Sequence, residues 1–306
     1  MSTPVYEPSG ILLINKHAGA TSHDIVYKVR RALHTKRVGH TGTLDPMATG
    51  VLVVLVGRAA KACEYVSHDR KVYRATLRLG LTTDTEDTTG TVLTKCDTLP
   101  IPEQVKDVCE RFVGKIKQIP PMYSALKVDG QKLCDLARKG IEVEREAREI
   151  EIFSLSCKPT DSESDYILTV DCSGGTYIRT LCADIGAALG CGGVMATLER
   201  IWVGGFSIDE CITTAELEAL DDNARMALLR PVDVLFIKHP YVLLPAFYER
   251  LCRNGCEIYQ HKIHTNHPVG TRVRICDADG HFFALGEVRE YENGTAIAMI
   301  KLFELE

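Results

Sequence analysis

The chain predicts an α+β fold, in which a mostly antiparallel sheet with flanking helices is followed by a small C-terminal β-rich domain. Three observations predict it. Strand-like runs occur in hairpin-like pairs more often than in clean strand–helix–strand alternation. Residues 71–80, KVYRATLRLG, alternate between apolar and partly basic side chains, as a strand with one packed face does. After Pro240 the texture changes to three strand-like runs, divided by the turn signals DADG and ENG.

The elements follow in order. TSHDIVYKVRRALH offers Thr21 or Ser22 as a helix cap, and its Ile25, Val26, Val29, Ala32 and Leu33 recur at helical spacing. GVLVVLVG, residues 50–57, is a short apolar run between glycines and reads as a buried strand. AAKACEYV, residues 59–66, favours a helix. In the 71–80 strand, Tyr73, Ala75, Leu77 and Leu79 share one face, and Val72, Arg74, Thr76 and Arg78 the other. IPEQVKDVCERFVG places Pro102 at a helix start. REIEIFSLSC and DYILTVDCSG read as two strands joined by the polar turn KPTDSES. YIRTLCADIGAALG is helical and ends at Gly190, a natural C-cap. The expected division is residues 1–238 for the main domain and 239–306 for the appended one.

The chain has 306 residues, of which 45% are hydrophobic and 25% charged, the balance of an average globular protein. No apolar run approaches the ~20 residues of a membrane helix. The start, MSTPVYEPSG, lacks the basic and apolar blocks of a signal peptide. Twelve cysteines without a Cys-x-x-Cys pair read as reduced thiols, which fits a cytoplasmic protein. CRNGCEIYQHKIHTNH gathers Cys252, Cys256, His261, His264 and His267, but four residues separate its second Cys from its first His, against roughly twelve in a zinc finger. It reads as buried thiols and surface histidines rather than a metal site.

The net charge is −5, yet residues 16–78 hold twelve Lys/Arg against four acids. Such asymmetry suggests one basic face, the electrostatic footprint of nucleic-acid binding. The competing reading is a solvated face whose acids come from elsewhere in the fold.

GHTGTLDPMATG, residues 39–50, places one carboxylate, Asp45, in a run of glycine, threonine and small apolar residues. Asp-Pro fits a helix N-cap with Pro46 at the first helical position. It also fits a catalytic carboxylate, which needs a partner and a binding surface. The glycine-rich run lacks the Gly-Lys-Ser/Thr ending of a phosphate-binding loop. GGTYIRT, residues 174–180, sets Arg179 two residues after Tyr177, and KVYRA offers Tyr73. An arginine fork suits a carboxylate, and an aromatic ring gives a stacking surface for a base. Spacing alone does not bring these residues together: the tyrosines also fit as half-buried strand aromatics and Arg179 as an ordinary ion-pair residue.

GHTGTLDPMATGVLVV resembles the catalytic signature of the TruB family of tRNA pseudouridine synthases. GILLINKHAGATSHDIV, KVYRATLRLGLTTDTEDTTG, IPPMYSALKVDGQKLCDLARKGIEVEREAR and CSGGTYIRTLCADIGAALGCGG are similar to further blocks of that family, in the expected order over about residues 9–236. The tail is similar, more weakly, to the PUA-like domain of these enzymes. The resemblance implies the pseudouridine synthase fold and isomerisation of uridine 55 in the tRNA T-loop, with no metal or cofactor. By motif match Asp45 is the essential acid, acting on the base, on C1′ or on a sugar proton. Arg179 pairs with it, and Tyr73 stacks on the uracil and is a candidate to move the C5 proton. Tyr177 and Leu198 line the pocket, and His40 holds the displaced nucleotide. Basic residues 28–37 and 70–78 grip phosphates. The implied partner is the T-arm of tRNA, bound by a monomer that uses no guide RNA and no membrane. The chain departs from the family at His17, usually proline, at Glu199, commonly arginine, and at Trp202, commonly basic. A non-catalytic tRNA-binding protein on the same fold is the alternative, and it leaves Asp45 without a task.

Overall fold

The computed structural model describes residues 8–66, 70–124, 126–128 and 130–303. Residues 1–7 of the N-terminal reading and Asp69 of the charge count lie outside them.

Strand β1 (Gly10–Lys16) is followed by helix α1 (Ser22–Ala32). Thr21 caps α1 through a reciprocal pair: Asp24 N donates to Thr21 Oγ1 at 3.1 Å and Thr21 N to Asp24 Oδ2 at 2.8 Å. Short β2 (Val38–His40) and long β3 (Thr49–Val56) come next. The apolar runs of β1 and β3 are nearly continuous because both of their faces are covered. Leu12, Ile14, Leu52 and Val54 pack on Ile25, Val26 and Val29 of α1. Ile11, Leu13, Val51 and Val53 pack on the opposite side with Phe206, Phe236 and Phe303.

The sheet continues with β4 (Lys71–Leu79). Helix α2 (Pro102–Glu110), β5 (Gly114–Gln118), β6 (Arg148–Pro159) and β7 (Asp165–Cys172) follow. Helix α3 (Ile178–Ala188), β8 (Gly193–Val203) and two-residue β9 (Ile212–Thr213) complete the set. The strands lie in the order β9-β1-β3-β8-β4-β7-β6-β5, with β2 against β3 and Phe206–Ser207 against β8. All of these pairings are antiparallel except β1–β9 and β3–β8. The expected alternation in β4 holds: Tyr73, Ala75, Leu77 and Leu79 are buried, and Val72, Arg74, Thr76 and Arg78 are not.

A second sheet forms after residue 240 from β10 (Tyr241–Leu243), β11 (Ile258–Tyr259), β12 (Arg272–Cys276), β13 (Phe282–Tyr291) and β14 (Gly294–Leu302), in the order β10-β12-β13-β14-β11. The three expected strand runs are β12, β13 and β14. Leu285 and Phe303 of this unit pack into the same apolar cluster as β1 and β3.

Two expectations need correction, and one further element was not expected. Residues 59–66 do not form a regular helix: a 3₁₀ turn, Gly57–Ala62, leads into a four-residue helix, Cys63–Val66. Buried Ala59 and Ala62 are three apart, the spacing a 3₁₀ turn satisfies. No helix follows Asp45. Ala48 N donates to Asp45 O at 3.0 Å, closing a turn that runs straight into β3. The C-terminal unit also contains a helix, Ala246–Arg253, among its strands. Among the described residues no helix is long and apolar enough to cross a membrane.

Candidate active site

The Asp45 turn sits where β3 and β8 meet in a short parallel contact, Glu199 opposite Thr49 and Arg200 opposite Gly50. Gly50 has φ +100°, and a Cβ there would lie 2.2 Å from Arg200 O, so only glycine fits. Three anchors hold the turn. Gly19 N donates to Pro46 O at 2.8 Å. Ser22 Oγ accepts from Leu44 N at 2.9 Å and donates to Leu44 O at 3.1 Å. Lys16, fully buried, donates from Nζ to Ala20 O at 2.7 Å, His17 O at 3.0 Å and Pro46 O at 3.2 Å. Burial pushes the Lys16 ammonium down to about 8, and the Asp45 charge opposes that.

Arg179 stands in the first turn of α3 and reaches Asp45 across 134 residues of sequence. Its Nε lies 2.9 Å from Asp45 Oδ2 and its Nη2 donates to Oδ1 at 3.4 Å, a two-pronged contact. The arginine side chain is 6% exposed and the aspartate side chain 33%, so the cation is a buried anchor and the acid faces outward. The guanidinium is held on its other sides by Tyr123 O at 2.7 Å and Thr85 O at 3.2 Å, with Asp87 Oδ2 at 4.0 Å. Asp87 is itself fixed in the TTDTEDTTG turn by Thr85 Oγ1 at 2.8 Å and Thr89 N at 2.9 Å. Arg179 therefore has one arrangement available, and Asp45 takes its geometry from it.

Tyr73 and Leu198 are brought to the same wall. They share one buried cluster with Leu44 and Ala48, the residues flanking the Asp45 turn. Burial pushes the Tyr73 phenol above its ordinary range, while the Arg200 guanidinium beside it works the other way. Tyr177 caps α3 and is half-buried, with Asp45 and Arg179 among the charges acting on it. Its backbone is gripped by Gln118, which is 2% exposed: Tyr177 N donates to Gln118 Oε1 at 2.8 Å and Gln118 Nε2 to Tyr177 O at 3.0 Å.

His40 is linked to this group through Arg200, whose charge acts on both its ring and the Tyr73 phenol. It lies on β2 opposite Val54, and the charged neighbours acting on it are Arg200 and His23. Burial and those neighbours lower its pKa, so the ring is neutral near pH 7. Its Nδ1 is buried without a hydrogen-bond partner.

Of the basic residues in 70–78, Lys71 is buried on the same face of β4 as Tyr73, while Arg74 and Arg78 lie on the other face. Arg74 pairs with Glu199 at 3.2 Å and Arg78 with Asp165 at 2.7 Å, on the face of β4 opposite Tyr73. Arg70 is paired with Asp171. A cavity of about 620 Å³ on that side is lined by Arg70, Arg74, Glu199 and Trp202. On this side of the sheet the arginines meet acids from elsewhere in the fold. Glu199 is the acid that pairs with Arg74. Among the described residues Cys252, Cys256 and the three nearby histidines do not converge on a common point; the three-ligand cluster present is Asp277, Asp279 and His281, in an exposed turn. Sequence reading left Lys16, structural or phosphate-facing, outside the catalytic set and did not single out Gln118, Asp87 or Arg200, all of them buried polar residues.

The chain is similar to proteins of one kind along nearly its whole length. The family described as "TruB family pseudouridylate synthase (N terminal domain)" matches residues 30–178, and "tRNA pseudouridylate synthase B C-terminal domain" matches residues 179–236. A protein of Alkaliphilus oremlandii named tRNA pseudouridine synthase B is 43% identical, over 97% of this chain and 100% of its own length. One of the same name from Geobacter sulfurreducens is 46% identical over 87% of this chain and 89% of its own. The crystal structure of a Cbf5-Nop10-Gar1 complex contains a chain that superposes with a TM-score of 0.75 at 23% identity, covering 96% of this chain and 85% of that one. The architecture is accordingly the pseudouridine synthase fold with a PUA-like C-terminal unit. With the GHTGTLDPMATG turn, its buried arginine and these likenesses in agreement, the chain belongs to the TruB family of pseudouridylate synthases.

Proposed function

We propose that this protein isomerises uridine 55 in the T-loop of tRNA to pseudouridine, with Asp45 as the catalytic acid residue. The observation that carries the reading is the outward-facing Asp45 carboxylate, locked by a buried Arg179 fork beside Tyr73 and Leu198. The reaction breaks N1–C1′, turns the uracil and joins C5 to C1′. It is redox-neutral and consumes no co-reactant, so the chemistry asks of the site one fixed carboxylate and a pocket that retains the free base.

In this reading Tyr73 supplies the stacking surface, Tyr177 and Leu198 close the pocket, and the neutral His40 ring supports the RNA after the uridine leaves its stack. Extruding a stacked base costs a few kcal/mol, which contacts to the rest of the T-arm offset. Arg31 and Lys36, exposed on and just after α1, are suited to phosphate contacts. Arg70, Arg74 and Arg78 would have to exchange a carboxylate for a phosphate. Residues 239–306 act as the RNA-binding PUA-like domain, and the protein works in the cytoplasm as a monomer without guide RNA.

The test is incubation of purified protein with an unmodified tRNA transcript and mapping of pseudouridine. Product at position 55 without guide RNA is expected. Tight binding without product would instead favour a non-catalytic tRNA-binding protein.

A further inference from the structure

Arg200 is among the largest side chains that the fold buries completely, at 1% exposure, and the reaction described above gives it no task. Its Nε donates to Val51 O at 2.8 Å and its Nη2 to Gly42 O at 3.2 Å. Both acceptors are neutral carbonyls, and a buried guanidinium held without a carboxylate is costly to keep. The groups that feel its charge come from four directions: Lys16 of β1, His40 of β2, Tyr73 of β4, and Cys211 beyond β8. Tyr73 lies directly opposite Arg200 in the β4–β8 pairing, and the guanidinium is the foremost charge acting on its phenol. Asp45 and Cys172 are the other titratable groups acting on that phenol.

We infer that Arg200 is a positioning residue for Tyr73, bracing the phenol from the neighbouring strand inside the protein while tying the Gly42 loop to β3. The inference rests on the reading in which Tyr73 stacks on the target uracil. A ring braced by a fixed, buried guanidinium on the next strand cannot slide along the base it supports, so the base keeps one height above Asp45. The same guanidinium holds the backbone on both sides of the Asp45 turn, Gly42 before it and Val51 after it. One buried side chain thus sets the distance between the stacking surface and the acid.

A purely structural clamp would do the second of these things and not the first, and a double-mutant cycle separates them. Single-turnover rates on an unmodified tRNA transcript are measured for wild type, Arg200→Met, Tyr73→Phe and the double variant, with melting temperature and tRNA affinity followed alongside. Arg200→Met is expected to slow the wild-type background by about tenfold or more and the Tyr73→Phe background by less than about twofold. Affinity for tRNA is expected to stay within about threefold in all four proteins. Equal slowing in both backgrounds, or no slowing in either, would overturn the inference. Should Arg200→Met not fold, Arg200→Lys carries the same cycle, since it keeps a cation but loses the fork, and the same outcomes decide. A wild-type protein that makes no pseudouridine overturns the uridine reading itself and this inference with it; that outcome is read before any substitution is compared.

Discussion

On one face of β4, cations are buried and shared; on the other they are exposed and paired one to one. Arg200 lies opposite Tyr73 on the buried face and gives its donors to two backbone carbonyls, while Arg179 reaches the same cleft from α3 and touches Asp45, Asp87, Tyr123 and Thr85. Across the strand, Arg74 and Arg78 each meet a single acid, at 57% and 43% side-chain exposure. Exposed pairs of that kind contribute roughly 0–1 kcal/mol and are screened by salt. Positive charge in a segment therefore says little about where chemistry occurs. What marks the site is a cation whose every donor is already committed, because it leaves its carboxylate partner only one position.

The comparison can be broken most sharply at Arg179. Arg179→Lys keeps the charge but cannot span Asp45, Tyr123 and Thr85 together, and turnover is expected to fall about 100-fold. Steady-state kinetics on an unmodified tRNA transcript checks this; near-normal kcat would show that the fork is not what positions Asp45. Asp87→Asn comes next, with about a tenfold loss in kcat, since Asp87 lies 4.0 Å from the guanidinium where Asp45 lies at 2.9 Å. Gln118→Ala removes both grips on the Tyr177 backbone and should raise KM more than it lowers kcat, by about threefold to tenfold. Arg74→Ala, on the other face, should leave kcat within about twofold, and any effect on tRNA binding should shrink as salt rises.

The smallest expected effect concerns stability and pH. Burial, with the Glu86 charge behind it, pushes the Asp184 carboxyl up to about 6 from an ordinary 3.8. A carboxyl raised in the folded state contributes stability below pH 3.8 that is lost as pH rises through 6. Asp184→Asn should therefore raise the melting temperature at pH 7.5 by about 2–4 °C and leave it nearly unchanged at pH 4. Thermal scans at the two pH values check both halves, and an equal shift at both would contradict the assignment.

Most of the secondary structure was legible because periodicity encodes burial. The i, i+3, i+4 pattern of α1 and the alternation of β4 each matched the face the fold covers. The helix at Ala246–Arg253 was missed although Phe247, Tyr248 and Leu251 stand at helical spacing, because the strand and turn signals around it set the reading of the whole tail. Asp45 could be singled out by its isolation, but not its use: its partner is 134 residues away, and no local pattern announces that meeting. Family motifs supplied the pairing. Gln118 and Arg200 gave no signal, since a polar residue in a strand looks like an exposed one until the element packed against it is known. The partners of Arg70, Arg74 and Arg78 gave no signal for the same reason, because Asp165, Asp171 and Glu199 lie on strands far along the chain.

The most direct test of the central claim compares wild type with Asp45→Asn on one unmodified tRNA, reading pseudouridine at position 55 and binding affinity together. The substitution removes a charge and almost no volume. The account predicts no detectable product with tRNA affinity within about tenfold of wild type. Product formed at a rate near wild type by Asp45→Asn would contradict it.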